Sequence, residues 1–168
     1  MSQLPYVYSF KKLVAYQKSR ALAAAVFNAS KQFPREEMYS LTDQVRRSSR
    51  AIGANIAEAW AKRDYEKHFV SKLTDADAEQ LETQHWIEVA HDCGYMDQQV
   101  AKALLTQSEE VGRLVGSMIA HAASFCTSKT LREPTAQYFY DSQTEDDNSN
   151  LNLACPEKSG HRVKVERY

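Results

Sequence analysis

The sequence predicts an all-α fold, an up-down four-helix bundle, and three observations carry that prediction. Apolar residues recur at helical spacing through four successive segments. The 168 residues include only four prolines and five glycines, and no proline interrupts the stretch from Arg35 to Glu133. One segment keeps a 3.5-residue period throughout, which is the seam of helices packed nearly parallel. The length is that of one domain, with enough apolar content to bury a core.

The first helix is predicted over about 10–33. Ser9 is its candidate N-cap, and Phe10, Leu13, Val14, Gln17, Ala21, Ala24, Ala25 and Asn28 are its repeating stripe. Phe33-Pro34 ends it, because proline disfavours a helical residue before it. The second helix, about 41–62, starts at Ser40 or Thr42 with Asp43 complementing its N-terminus. Its stripe is Leu41, Val45, Ser48, Ile52, Ile56, Ala59 and Trp60.

Asp64 can cap the third helix, about 65–93, and Gly94 can end it in a left-handed conformation. This helix carries the strict alternation of four and three: Phe69, Leu73, Ala76, Gln80, Thr83, Ile87, Ala90, Gly94. Asp97 caps the fourth, about 98–125, whose stripe is Ala101, Leu104, Ser108, Val111, Val115, Met118 and Ala122. A second set, Leu105, Gly112 and Ile119, fits either a subunit interface or a wide core-facing stripe. The bundle domain is thus 1–125. Residues 126–168 are polar and mixed in charge without a sustained period, and are expected to form a disordered tail. Within it, Tyr138, Phe139 and Tyr140 form a short aromatic cluster that could dock elsewhere.

The net charge of −1 hides an asymmetry. Residues 1–63 hold 11 basic and 4 acidic side chains, and residues 64–125 hold 4 basic and 11 acidic. The two halves should attract each other, within a chain or between subunits. Cys93, Cys126 and Cys155 are odd in number and widely spaced, which suits reduced thiols, with Cys93 a buried small hydrophobe. No apolar run approaches a membrane span and the start lacks a signal core, so a cytoplasmic protein is expected.

Glycine-rich nucleotide loops and the G-x-S-x-G hydrolase elbow are absent. Two E-x-x-H matches, Glu82 with His85 and Glu88 with His91, raise the di-iron chemistry of some bundles. Such a site needs the two motifs on different helices. Here both lie on one helix, pointing roughly 120° apart. The first helix supplies no acidic ligand between Phe10 and Phe33. Neither a metal nor a cofactor is expected, and no nucleophile or oxyanion donor points to an enzyme.

The second helix divides into faces at 100° per residue. Val45, Ile52, Ile56 and Ala59 face the core; Arg46 and Arg50 lie roughly opposite, with Gly53 and Ala57 continuing their face. Asn55 lies at the edge of the core stripe, and Glu58 further round, with Lys62 at the favourable i+4 spacing. Asn55 and Glu58 are expected to join Gln80, Thr83 and Gln84 of the third helix in an interhelical polar network. Arg46, Arg47, Arg50, Lys62 and Arg63, with Lys11 and Lys12 of the first helix, are the candidate phosphate contacts. Their alternatives are a solvated face or ion pairs with the acidic third and fourth helices.

The run FPREEMYSLTDQVRRSSRAIGANIAEAWAKRDYEKHFVSKL, with EQLETQHWIEVAHDCGYMD after it, resembles the bacterial four helix bundle protein family. That family includes proteins encoded by intervening sequences of ribosomal RNA genes. The resemblance covers about residues 8–125 and is strongest at Asn55, Ile56, Ala57 and Glu58 and at Leu81 to Gln84. Gly53 and Ala59 stand where many relatives have proline and glycine. The resemblance implies an up-down bundle that assembles into a homo-oligomer, commonly a five-membered ring, without catalytic activity. A distant branch, the accessory variability determinants of diversity-generating retroelements, partners a reverse transcriptase and binds nucleic acid through basic surface. The expected function is therefore a non-enzymatic accessory factor for RNA or DNA. The alternative is a protein–protein scaffold ring, such as an accessory subunit of a reverse transcriptase.

Overall fold

Ser9 accepts a hydrogen bond from the Lys11 amide at 3.3 Å, but the turn it starts is a short 3₁₀ segment, Phe10–Lys12. Leu13 is extended, and the α-helix proper, α1, begins beyond it and spans Val14–Ala29. In this computed structural model residues 8–126 are described. Cys155, the aromatic cluster and all of the expected tail beyond Cys126 lie outside the described residues. The other long helices are α2 (Leu41–Ala61), α3 (Glu66–Asp92) and α4 (Gln98–Ala120), followed by a single turn, α5 (Ala122–Phe125).

The break at Leu13 shifts the phase of α1 from the expected stripe. Ala15, Ser19, Leu22 and Val26 face inward, while Val14, Gln17, Ala21, Ala24 and Asn28 are exposed. Alanines occupy both phases, so the larger Leu22 and Val26 decide which one is buried. Two 3₁₀ turns, Ser30–Gln32 and Arg35–Glu37, flank the extended Phe33 before Pro34 and lead into α2. Ser40 occupies the N-cap position of α2 but makes no capping bond itself. The capping group is the Glu37 carboxylate, which accepts from the Leu41 amide at 3.4 Å, from the Ser40 hydroxyl, and from the Tyr95 hydroxyl at 3.2 Å. These bonds, that of Ser40 foremost, hold the Glu37 pKa below the usual carboxylate range.

Every expected seam residue of α3 from Phe69 to Ala90 is buried, while Gly94, the last of the expected set, lies past the helix end and is exposed. The helix ends in paired bonds from Tyr95 N to Ala90 O and from Gly94 N to His91 O, both 2.9 Å, with Gly94 at φ 74°. Cys93 sits at this helix end and is exposed, contrary to the buried site expected for it. Asp97 caps α4, accepting from the Val100 amide at 2.8 Å. The α4 stripe from Ala101 to Met118 is buried as expected, and Leu105 and Ile119 are half-buried against the core.

Each long helix packs against its predecessor, and α4 closes back on α1, with α2 against α3 the most extensive pairing. The described residues therefore form an all-helical up-down bundle of four long helices without strands.

A polar seam crosses its centre. Thr83 donates to Ser48 Oγ at 3.0 Å, with the Glu79 carbonyl oxygen 2.8 Å away as its alternative acceptor. Gln80 Nε2 donates to Ser108 Oγ at 3.0 Å, and the Ser108 hydroxyl donates back to the Gln80 main-chain oxygen at 3.3 Å. All four side chains are buried. The amide of Gln80 fits because Gly112 faces it: a Cβ built there would lie 2.8 Å from Gln80 Oε1. That close approach accounts for one glycine of the second α4 set.

Candidate nucleic-acid interface

Phe27 lies on the outward side of α1 and is 38% exposed. Lys31, one turn further on, places Nζ 4.9 Å from the ring centroid. From α2, the Arg46 and Arg50 guanidinium carbons lie 4.9 Å and 5.8 Å from the same centroid. Three cations thus converge on one aromatic ring, each within cation–π reach. Arg46 is held in place, since its Nε donates to Ser30 Oγ at 2.7 Å and buried Ser30 donates to the Phe27 carbonyl at 3.1 Å. Lys31 donates to Asn28 Oδ1 at 3.0 Å. None of the three ion-pairs with a described carboxylate. Mutual repulsion among them favours an anion at this place.

The cluster adjoins an open groove of about 550 Å³ between α1 and α2. Small residues, Ala23, Ala24, Gly53, Ala54 and Ala57 among them, form its floor, and Arg20 and Arg50 line it from the two helices. Gly53 lets α1 come close, because a Cβ there would sit 3.1 Å from Ser19 Oγ. At the other end of the groove Phe10 and Tyr16 meet edge to face with centroids 4.9 Å apart.

The seven expected contacts do not form one patch. Arg46 and Arg50 join the Phe27 cluster. Lys11 and Lys12, with Lys62 and Arg63, lie at the opposite end of the α1–α2 pair, since Arg46 and Lys62 are about 24 Å apart along the α2 axis. There Lys11, Lys12 and Lys62 are exposed. Arg63 is engaged within the fold, its NH1 donating to the Trp60 carbonyl at 2.7 Å and its guanidinium 4.3 Å from the Trp60 ring. Arg47 is exposed on the α3 side, where its charge acts on Glu79. Burial, then the charge of Glu82, pushes the Glu79 pKa up, and Arg47 opposes the rise.

The expected polar network is only partly brought together. Gln80 and Thr83 meet Ser108 and Ser48, but Glu58 is exposed and pairs with Lys72 Nζ at 2.9 Å, not with Lys62. Lys72 also reaches Asp75 at 3.1 Å, and the bond to Glu58, followed by that to Asp75, raises its pKa. Asn55 and Gln84 are half-buried and make no side-chain hydrogen bond among the described residues. Thr42 is the buried side chain left without a partner there. The E-x-x-H residues have local roles: Trp86 Nε1 donates to Glu82 at 3.0 Å, and His91 Nδ1 is 3.1 Å from the Met96 carbonyl oxygen. Among the described residues no group of three or more His, Cys, Asp or Glu is placed to hold a metal, and no helix is long and apolar enough to cross a membrane.

The family model for 23S rRNA-intervening sequence proteins matches residues 11–117. The chain belongs to that family. Among six matching solved chains is a protein of unknown function from the S23 ribosomal protein family of Bacteroides thetaiotaomicron. It shares 30% identity at a TM-score of 0.58, and the match covers 64% of this chain and 96% of that one. No functionally curated protein matches. The intervening-sequence family match starts at Lys11 and runs into α4, so it contains the seam, the Phe27 cluster and all of the groove residues except Phe10. Neither comparison indicates an enzymatic family.

Three members of the interface, Arg20, Phe27 and Lys31, escape a reading of the sequence that takes the α1 stripe in the wrong phase. Phe27 and Lys31 carry a usable signal, an aromatic and a cation at i, i+4, once the register of α1 is known.

Proposed function

We propose that this intervening-sequence protein is a non-enzymatic accessory factor that associates with RNA or DNA and works as a homo-oligomer, a five-membered ring. The observation that carries the reading is the convergence of Lys31, Arg46 and Arg50 on Phe27 without a described carboxylate partner. A polyanion supplies the missing charge and releases counterions as it binds. The family is named for intervening sequences of 23S rRNA, which makes an RNA the first ligand to test. Assembly is favoured by the opposite charges of residues 1–63 and 64–125, which can meet between subunits as well as within one.

A ring that docks a protein partner, a reverse transcriptase for instance, is the second reading, and the small-residue floor of the groove favours it. Salt separates the two. Binding of a structured RNA should weaken steeply between 50 and 200 mM salt, and replacing Lys31, Arg46 and Arg50 with Gln should reduce the log–log slope by about 2 to 3. Light scattering should show the assembly intact in that variant. Absence of any salt-dependent binding to RNA or DNA at low salt would reject the proposal.

A further inference from the structure

The α1–α2 groove has a chemistry that phosphate attraction alone does not use. Aromatic rings stand at both ends of it, Phe10 and Tyr16 at one and Phe27 at the other. Arginines come from both walls, Arg20 from α1 and Arg50 from α2, and no carboxylate lines it. Its floor is kept low by small residues, with Gly53 buried beneath. We infer that this groove holds a single strand of nucleic acid, with a base on Phe27 and phosphates on Arg20 and Arg50. The inference rests on the nucleic-acid reading above and narrows it to one substrate class.

Three physical points favour a single strand over a duplex. Adjacent helices lie about 8–10 Å apart, so the depression between them admits one strand and not a double helix. A duplex keeps its bases stacked inside, and would meet the arginines while leaving the aromatics and the apolar floor unused. A single strand uses both: bases stack on aromatic side chains or on a guanidinium, and the basic walls track the backbone. From Tyr16 to Phe27 the groove runs about 16 Å along α1, enough for about five bases stacked at ~3.4 Å. The cations around Phe27 do not oppose this, since an arginine over an aromatic ring extends the surface on which a base lies.

The test uses the full chain and fluorescein-labelled 15-nucleotide oligoadenylate, as RNA and as DNA, against duplexes of the same length at low salt. The expected result is at least tenfold preference for the single strand in one or both sugar types. Phe27→Leu should weaken single-strand binding by roughly 5- to 150-fold, the range for losing one stacked base, and leave duplex binding unchanged. Ala54→Leu fills the groove from an exposed helical position, so it should weaken single-strand binding without lowering helicity or melting temperature. Equal binding of single strand and duplex, with Phe27→Leu silent, overturns the inference and leaves the broader nucleic-acid reading standing. No salt-dependent binding to either form removes both. A change of oligomeric state in Ala54→Leu, with single-strand binding unaffected, shows instead that a second copy fills the groove, and also overturns it.

Discussion

Replacing Gly112 with Ala tests whether the central seam constrains the bundle as tightly as its geometry implies. A helix-interior Gly-to-Ala change ordinarily stabilises by about 1 kcal/mol. At Gly112 the new Cβ would lie 2.8 Å from Gln80 Oε1 and 3.1 Å from Gln80 Cδ, where ordinary contact begins near 3.4 Å. The amide must therefore retreat by about 0.6 Å, from a site where Gln80 is only 2% exposed. Its Nε2 bond to Ser108 has an ordinary length of 3.0 Å, and this retreat of the amide stretches or bends it. Leaving buried polar atoms badly paired costs about 1–3 kcal/mol. The net expectation is a destabilisation of about 0–2 kcal/mol.

Gly116 supplies the control. It is on the same helix, is exposed, and would place its Cβ with nothing within 4 Å, so Gly116→Ala should stabilise by about 1 kcal/mol. The difference between the two substitutions, about 1–3 kcal/mol, is the quantity to measure. Urea unfolding followed by circular dichroism reports it, with chain concentration held constant because the proposed assembly would contribute to stability. In a Gln80→Ala background the obstruction is gone, and Gly112→Ala should become stabilising by up to about 1 kcal/mol. If Gly112→Ala stabilises the unmodified chain as much as Gly116→Ala does, the close packing around Gln80 is not a constraint.

Thr83→Val should cost about 1–2 kcal/mol, because Ser48 is left with only the Val45 carbonyl at 3.4 Å, while adding Ser48→Ala should cost less than additivity predicts; a double-mutant cycle measures the coupling. Glu37 has a lowered pKa in the folded state, so its contribution is present above the ordinary value near 4.5 and is lost as pH falls through the folded one. Glu37→Gln should therefore be less stable than the unmodified chain at neutral pH, and denaturant midpoints of the two should converge on acidification. Thiol alkylation followed by peptide mass spectrometry should find exposed Cys93 labelled before Cys126. The Cys126 pKa is raised by burial first, then by Glu66 and Asp64 against the opposing charge of Arg63. In denaturant the two should react alike.

What was legible in the sequence follows from how strictly each element keeps one period. The α3 seam holds a single 3.5-residue period from Phe69 to Ala90, through polar Gln80 and Thr83, and those positions are all buried. In α1 alanine fills two competing phases, and the decisive event is a backbone break at Leu13 that no side-chain period announces. The α2 cap was legible as a position at Ser40 but not as a chemistry, because Glu37 reaches it from a separate 3₁₀ turn. Partners across helices were hardest. Periodicity places Glu58 on a face, whereas its pairing with Lys72 depends on the register between α2 and α3.

The same distinction explains the candidate interface. From α2 alone Arg46, Arg50, Gly53 and Ala57 share one face, expected opposite the core. That face instead turns toward α1, with Gly53 buried and Arg46 half-buried, and the arginines' meeting with Phe27 depends on how near α1 lies. That distance is set inside the groove, where Gly53 leaves room for Ser19, a contact that a Cβ would crowd at 3.1 Å. Ser19 is held in turn by its hydroxyl bond to the Tyr16 carbonyl at 2.8 Å. A residue larger than alanine at 53 would push α1 outward, lengthening the reach of Arg46 to Ser30 and loosening both arginines from the ring. Packing of α1 on α2 and presentation of the basic cluster are consequences of one close approach, so the interface cannot be altered at Gly53 without altering the bundle.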